Sequence, residues 1–211
     1  MNKPYYQTDF NFSELAKQWI VDRYQDRFNR KFFHDLDVTQ HEFQNEWHSN
    51  LAGQELVNFL SKYNCDTSYY GISVFISNMP YEIKSNPHMD TKFSQGGQSR
   101  IKSRFNVMVL GNPQDSMVWW NHIEYGDSRL IEYKFQSITG QDYTSKCIPG
   151  DDPEARWNYL GEPTIQFANL LTPSAFVKTD CAHAVILSAQ PRLIVTVALD
   201  KDLSEIIGTL D

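Results

Sequence analysis

The residues best suited to chemistry are His88 and Asp90, set as His88-Met89-Asp90, together with His183 and Arg192 far downstream. In an extended segment, side chains two apart point to the same face, so His88 and Asp90 can converge on one point. An imidazole nitrogen beside a carboxylate oxygen suits a first-row divalent metal. A lone His-x-Asp is weak evidence, because a solvated turn can carry the same residues. His183 raises its weight. It lies just before the apolar run Ala184-Val185-Ile186-Leu187 and can complete a set of two histidines and one carboxylate. Such a set occupies one face of an octahedron and leaves positions open to reactants. Nine residues on, Arg192 opens the apolar run Leu193-Ile194-Val195-Thr196-Val197-Ala198-Leu199. An arginine so placed offers an always-charged fork for a carboxylate.

Two kinds of element must hold these groups. The first sixty-odd residues read as helical. Leu15, Trp19, Ile20 and Tyr24 recur at helical spacing behind Ser13, a candidate N-cap. Thr39-Gln40-His41-Glu42 has the spacing of a capping box. Phe43, Trp47 and Leu51 follow as a stripe that Leu56, Phe59 and Leu60 continue after an expected break at Gly53. From about residue 67 the texture is aromatic and β-branched, with strand-like runs at 69–76, 104–110, 117–125, 129–135, 175–178 and 193–199. Gly, Pro, Asn and Asp punctuate the gaps. Short strands with turns, rather than alternating βα units, predict an antiparallel sandwich or barrel behind a helical layer. Two stretches interrupt the rhythm, 85–103 and 139–163. The first is expected to be a lid over the site and the second a further substrate-contacting loop.

With His88, Asp90, His183 and Arg192 in this order and spacing, the sequence resembles the Fe(II)- and 2-oxoglutarate-dependent dioxygenase superfamily. The resemblance covers about residues 69–199. It implies a mainly β chain with N-terminal helices around a double-stranded β-helix core, the cupin-like jelly roll. One domain would then comprise a helical layer over 1–66, a catalytic core over 67–200 and a tail over 201–211. It implies Fe(II) on His88, Asp90 and His183, with 2-oxoglutarate chelating the metal and Arg192 holding its distal carboxylate. O2 would be consumed, 2-oxoglutarate decarboxylated to succinate, and a small-molecule or protein substrate hydroxylated. Arg104 and Asn106 share a strand face and resemble the R-x-N or R-x-H strand that contacts the co-substrate in some members. Thr196 shares a face with Arg192 and can add a hydroxyl to the same carboxylate.

Other residues carry less. His122 follows Trp119-Trp120-Asn121 and competes as a third ligand, but no arginine follows it at a similar spacing. His34, His41 and His48 read as surface or packing residues. Trp119, Trp120 and Trp157 can line a pocket, although aromatics more often fill cores or rims. Cys181 reads as a small buried hydrophobe. There is no Walker loop and no nucleophile elbow. Two alternatives stay open. One is a cupin-type metalloprotein that does not use 2-oxoglutarate. The other is a non-enzymatic jelly-roll module in which the histidines never meet.

Composition sets the bounds. The 211 residues suit one domain, with 41% hydrophobic residues, and 19 Lys+Arg against 26 Asp+Glu give a net charge of −7. That balance argues against nucleic-acid and anionic-membrane partners. The opening MNKPYYQTDF has no apolar signal core, and the three dispersed cysteines form neither a disulfide framework nor a zinc motif. The expectation is a soluble, cytoplasmic protein of undetermined oligomeric state.

Overall fold

A computed structural model describes residues 3–28, 33–37, 43–65, 72–94, 97–112, 115–136, 142–168 and 173–208. In chain order the elements are β1 (Tyr5–Thr8), α1 (Glu14–Phe28), β2 (Phe33–Asp37), a π-helical turn (Phe43–Trp47), α2 (Leu51–Ser61), β3 (Ile72–Ser77), β4 (Ile83–Lys84), β5 (Thr91–Ser94) and β6 (Gly97–Arg100). There follow β7 (Ser103–Leu110), β8 (Ser116–Glu124), β9 (Ile131–Gln136), β10 (Asp142–Cys147), α3 (Pro153–Leu160), β11 (Ile165–Ala168), β12 (Ser174–Lys178), β13 (Cys181–Leu187), β14 (Arg192–Leu199) and α4 (Leu203–Ile207).

The strands form two main sheets. The larger has the order β1-β12-β7-β14-β3-β2 and the smaller β11-β8-β13-β4, while β5–β6 and β9–β10 are separate hairpins. Counting only β3, β4, β7, β8, β11, β12, β13 and β14 as strands one to eight, the two sheets read 1-8-3-6 and 2-7-4-5. Each strand thus pairs in the sheet opposite to that of most of its sequence neighbours, which is jelly-roll winding. The fold is a double-stranded β-helix.

Alternation along the larger sheet separates two environments. Val74 and Ile76 of β3, Phe105 and Val107 of β7, and Leu193, Val195 and Val197 of β14 share one core cluster with the helices. From the helical side Ile20, Trp47, Leu56 and Leu60 enter that cluster, each 1% exposed or less. The opposite face of the same strands carries Phe75, Ser77, Arg104, Asn106, Arg192, Ile194 and Thr196, and it looks into the barrel. A helix-facing apolar stripe therefore fixes by parity which polar side chains point inward.

Several expectations change at this stage. Ser13 does cap α1, its Oγ accepting from the Ala16 N–H at 3.3 Å. Leu15, however, is 76% exposed, and the buried face runs through Ala16, Ile20 and Tyr24. The stripe through Leu51 is also displaced, because Leu51 is 40% exposed as the first residue of α2, with the Asn50 side chain accepting from the Ala52 N–H. Gly53 does not break the helix; it lies inside α2, where an added Cβ would come within 2.0 Å of the Trp47 carbonyl oxygen. The 1–66 layer is not wholly helical, since β1 and β2 extend the larger sheet at its two ends. The 201–211 tail contributes α4, whose Leu203 and Ile206 join the core. The 139–163 stretch holds β10 and α3 rather than a loop, and 85–103 holds the β5–β6 hairpin. The capping box at 39–42, His34's side chain and His41 lie outside what is described. Among the described residues no helix is long and apolar enough to cross a membrane.

Gly53→Ala should cost about 1–3 kcal/mol of stability, because a methyl group forced against a backbone carbonyl cannot be relieved by a rotamer change. Chemical denaturation checks it, and an unchanged midpoint would contradict the close packing of α2 on the π-helical turn.

Candidate active site

Three side chains meet at one end of the barrel. His183 is on β13, just after a register irregularity between Cys181 and Ala182, and stands opposite Trp119 of β8. Bulges of this kind re-aim side chains near sites. His88 lies between β4 and β5 and pairs with His183 through an isolated antiparallel bridge. The His88 N–H donates to the His183 carbonyl at 3.0 Å and the His183 N–H to the His88 carbonyl at 2.9 Å. Directly opposed residues present their side chains on the same face, and the two rings lie 4.5 Å apart. Asp90 is two residues on, with its N–H bonded to the Thr179 carbonyl at 2.9 Å.

The orientation of each group is set by a second contact. His88 Nδ1 is 2.7 Å from the Asn86 carbonyl and His183 Nδ1 is 2.9 Å from the Cys181 carbonyl. A carbonyl only accepts, so both Nδ1 atoms carry the hydrogen and both Nε2 atoms keep a free lone pair. Asp90 Oδ2 accepts from Arg104 Nε. Its other oxygen, Oδ1, is 3.4 Å from His88 Nε2 and 3.8 Å from His183 Nε2. One ligand atom from each residue falls within 4.8 Å of the others. Ligands about 2.0–2.2 Å from one ion, on one octahedral face, stand about 3 Å apart, so a small inward movement would suffice. The donor set therefore fits a divalent first-row ion.

The electrostatics separate the two histidines. Burial, and then the neighbouring His88, depress His183 to about 4, so it is neutral at ordinary pH. At His88 desolvation opposes the charge, but the hydrogen bond and the charge of Asp90 outweigh it and raise its pKa above the usual 6.5. Burial works against the Asp90 carboxylate, yet Arg104, followed by the two imidazoles, holds its pKa well below the usual carboxylate range. Burial pushes the Cys181 thiol up to about 12, so this thiol, two residues before His183, stays protonated and is a poor ligand.

The triad opens into a cavity of about 390 Å³ whose wall also includes Arg104, Asn106 and Arg192. Thr196 shares the inward face of β14 but is fully buried and does not reach that wall. Arg104 contacts the Asp90 carboxylate through Nε, while its Nη1 is buried without a hydrogen-bond partner. Asn106 Oδ1, Thr196 Oγ1 and Ser77 Oγ are likewise buried and unpartnered. Such atoms are rare in folded proteins. Of these, the Asn106 and Arg104 atoms belong to the cavity wall and fit one that receives a polar ligand, whereas Thr196 and Ser77 lie behind it.

Two residues outside the cavity wall support the site, Asp115, which the sequence did not single out, and Trp157, which it offered as a pocket residue. Asp115, 1% exposed, places Oδ2 3.2 Å from Arg192 Nε. Burial lowers Arg192 to about 10, with Asp115 opposing that shift, so the guanidinium keeps its charge at neutral pH. Trp157 donates from Nε1 to the Ser85 carbonyl at 2.9 Å, steadying the segment that leads to His88. No spacing rule marks Asp115, but Asp152-Pro153 is a readable helix start. The Asp152 side chain accepts from the Ala155 N–H at 2.8 Å, and Pro153 occupies the first turn.

The tryptophans do not line the cavity. Trp119 packs in the barrel interior, and Trp120 and Trp157 pack on the outer face of the smaller sheet. His122 and His48 stand apart from the triad, and both are exposed.

No protein-family model and no curated protein matches the sequence. Among solved structures the chain is similar to a prolyl 4-hydroxylase from Phytophthora capsici, at 14% identity and a TM-score of 0.39, over 96% of this chain and 60% of that one. It thus spans less than two thirds of that protein. It is also similar to a Pseudomonas putida prolyl-4-hydroxylase, at 10% identity and a TM-score of 0.39, over 93% of this chain and 91% of that one. A viral collagen prolyl hydroxylase from Paramecium Bursaria Chlorella virus-1, solved as a 2OG complex, shows 12% identity and a TM-score of 0.31, over 94% and 97%. Likeness this distant carries no argument about activity. The strand order and the meeting of His88, Asp90 and His183 stand on their own. The chain resembles the Fe(II)- and 2-oxoglutarate-dependent dioxygenases in motif, in fold and in this convergence.

Two outcomes follow for metal binding. Arg104→Ala should weaken divalent-metal affinity about 10–100-fold by releasing Asp90, as removal of outer partners of metal ligands commonly does. Because a proton on His88 competes with the ion, affinity should fall about tenfold per pH unit below the raised His88 pKa and level off above it. Competition with a metal-sensitive dye between pH 5.5 and 8.5 reads both effects, and a flat profile would remove His88 from the ligand set.

Proposed function

We propose that this protein is a non-haem Fe(II)- and 2-oxoglutarate-dependent oxygenase, a hydroxylase of a small-molecule or peptide substrate. The observation that carries the reading is that two imidazole Nε2 atoms and one carboxylate oxygen converge in the same cavity that Arg192 lines. His88, Asp90 and His183 would hold the iron, and the open face of the triad is the cavity side. When bound, the iron and 2-oxoglutarate supply the oxidising chemistry, for which no side chain is a substitute.

Charge supports a dianionic co-substrate. Asp90 and Asp115 are each paired with an arginine, Arg104 and Arg192. The four charges sum to zero, so a divalent ion would leave the site at +2, which a dicarboxylate balances. Low dielectric makes that balance count for more than in water. Arg192 would receive the distal carboxylate, while Asn106, between the triad and Arg192 on the inward face, meets the body of the same molecule. Phe75, Met89, Met117, Val185 and Ile194 give the wall an apolar part that limits water, while Ser85, Asn86 and Thr179 complete it.

The volume limits the substrate. About 390 Å³ lies at the small end of ligand sites, and the co-substrate takes part of it. What remains suits a small molecule or a single side chain of a peptide. His88, whose side chain is 50% exposed, stands at the mouth, whereas His183, at 4%, is at the floor. The reacting group would therefore enter past His88.

Anaerobic Fe(II) with 2-oxoglutarate should give a weak visible charge-transfer band. His183→Ala and Asp90→Ala should abolish it by losing the metal, and Arg192→Ala should keep the metal but weaken 2-oxoglutarate about 100-fold, the scale of a buried charge-assisted pair. Undiminished 2-oxoglutarate affinity in Arg192→Ala would rule out the proposed anchor.

A further inference from the structure

Asp115 is almost wholly buried, yet it belongs to neither the metal set nor the cavity wall. It lies in the turn before β8, where its N–H bonds the Asn112 carbonyl at 3.0 Å. Its Oδ1 accepts from both the backbone N–H and the hydroxyl of Ser188, each at 2.8 Å. Ser188 stands in the connection between β13 and β14. Oδ2 is left for Arg192 Nε, 3.2 Å away in an ion pair without hydrogen-bond geometry. One carboxylate thus joins the start of a strand in the smaller sheet, the turn after the His183 strand, and the first residue of β14.

The place of this contact matters. An ion pair at Nε pins one edge of the guanidinium and leaves the other edge free. Arg192 lines the cavity, and among the described residues its Nε is buried without a hydrogen bond, so Asp115 holds it by charge alone. A long unbranched side chain without such a pin would lose rotamer freedom on every binding event. Ser77 is the register partner of Arg192 on β3, and its Oγ is also buried and unpartnered.

We propose that Asp115 is a positioning residue that aims Arg192, so that the site prefers a 2-oxo acid with a distal carboxylate over one without. This rests on the oxygenase reading above and concerns the same cavity. Asp115 acts only through Arg192, and Ser188 acts only through Asp115. An opposing possibility has the opposite sign: a carboxylate that merely competes with the ligand for Arg192 would tighten binding when neutralised.

The test compares 2-oxoglutarate with pyruvate, which keeps the metal-chelating end and lacks the distal carboxylate. Affinities are measured by calorimetry on the anaerobic iron-loaded protein. In Asp115→Asn, 2-oxoglutarate should weaken about tenfold or more, a typical coupling for groups in one network, while pyruvate and metal affinities stay unchanged. In an Arg192→Ala background Asp115→Asn should have no further effect on 2-oxoglutarate. If Asp115→Asn does not fold, Ser188→Ala removes one of the orienting hydrogen bonds without altering charge and should shift 2-oxoglutarate alone in the same direction by a smaller factor. Unchanged or tighter 2-oxoglutarate binding, or an equal loss for pyruvate, overturns the role of Asp115. Wild-type protein that binds the two acids alike, or neither, overturns the oxygenase reading instead.

Discussion

Two backbone hydrogen bonds between His88 and His183 set the geometry on which the site depends. They make residues 95 apart in sequence direct partners in an antiparallel pair, so that both imidazoles leave the sheet on the same side. From that point little freedom remains. Asp90 follows two positions later on the same face, and the Asn86 and Cys181 carbonyls fix both tautomers. Arg104 takes one carboxylate oxygen and leaves the other facing the rings. A slip of one residue in the pairing would turn one ring to the other face and dissolve the set.

The larger sheet meets the opposite demand on each side. Towards the helices it is mainly apolar, its Thr8, Ser103 and Ser174 hydroxyls each hydrogen-bonded, whereas towards the barrel it carries two arginines, an asparagine, a threonine and a serine with few protein partners. Each buried polar atom left unpaired costs about 1–3 kcal/mol. The apolar side, with Trp47, Leu56 and Leu60 fully packed, supplies the stability that lets the inner face remain unsatisfied until it is occupied. Stability and chemistry are thus placed on the two faces of the same strands, separated by the pleat.

What the sequence disclosed follows from which signals are local. His-x-Asp with a later His and Arg could be read because its parts are short and ordered. Strands β3, β7, β8, β12 and β14 were visible in their β-branched and aromatic runs. Strand β4, two residues long, was not, although it forms the edge of the smaller sheet just before His88. β1 carries no apolar alternation and exists because its backbone finds an open edge on β12. Leu15 looked like core and Ala16 did not, because a helical stripe defined by size alone is ambiguous by one position. Asp115 was invisible for a simpler reason. Its partners, Ser188 and Arg192, lie more than seventy residues away, and only the winding of the jelly roll brings them to it.

The hydrogen bond from Trp157 to the Ser85 carbonyl has a thermodynamic side. It spans 72 residues and ties a helix on the outside of the smaller sheet to the strand end that delivers His88. Trp157 also stacks edge-on against Trp120, and Lys84 lies over its ring, so the helix cannot lift without loosening the residues beside Ser85. Local opening of α3 and occupation of the candidate metal site would then be linked equilibria. An ion held by His88 would slow hydrogen exchange in a helix it never touches, and a partner that gripped that helix from outside would in turn tighten the hold on the ion.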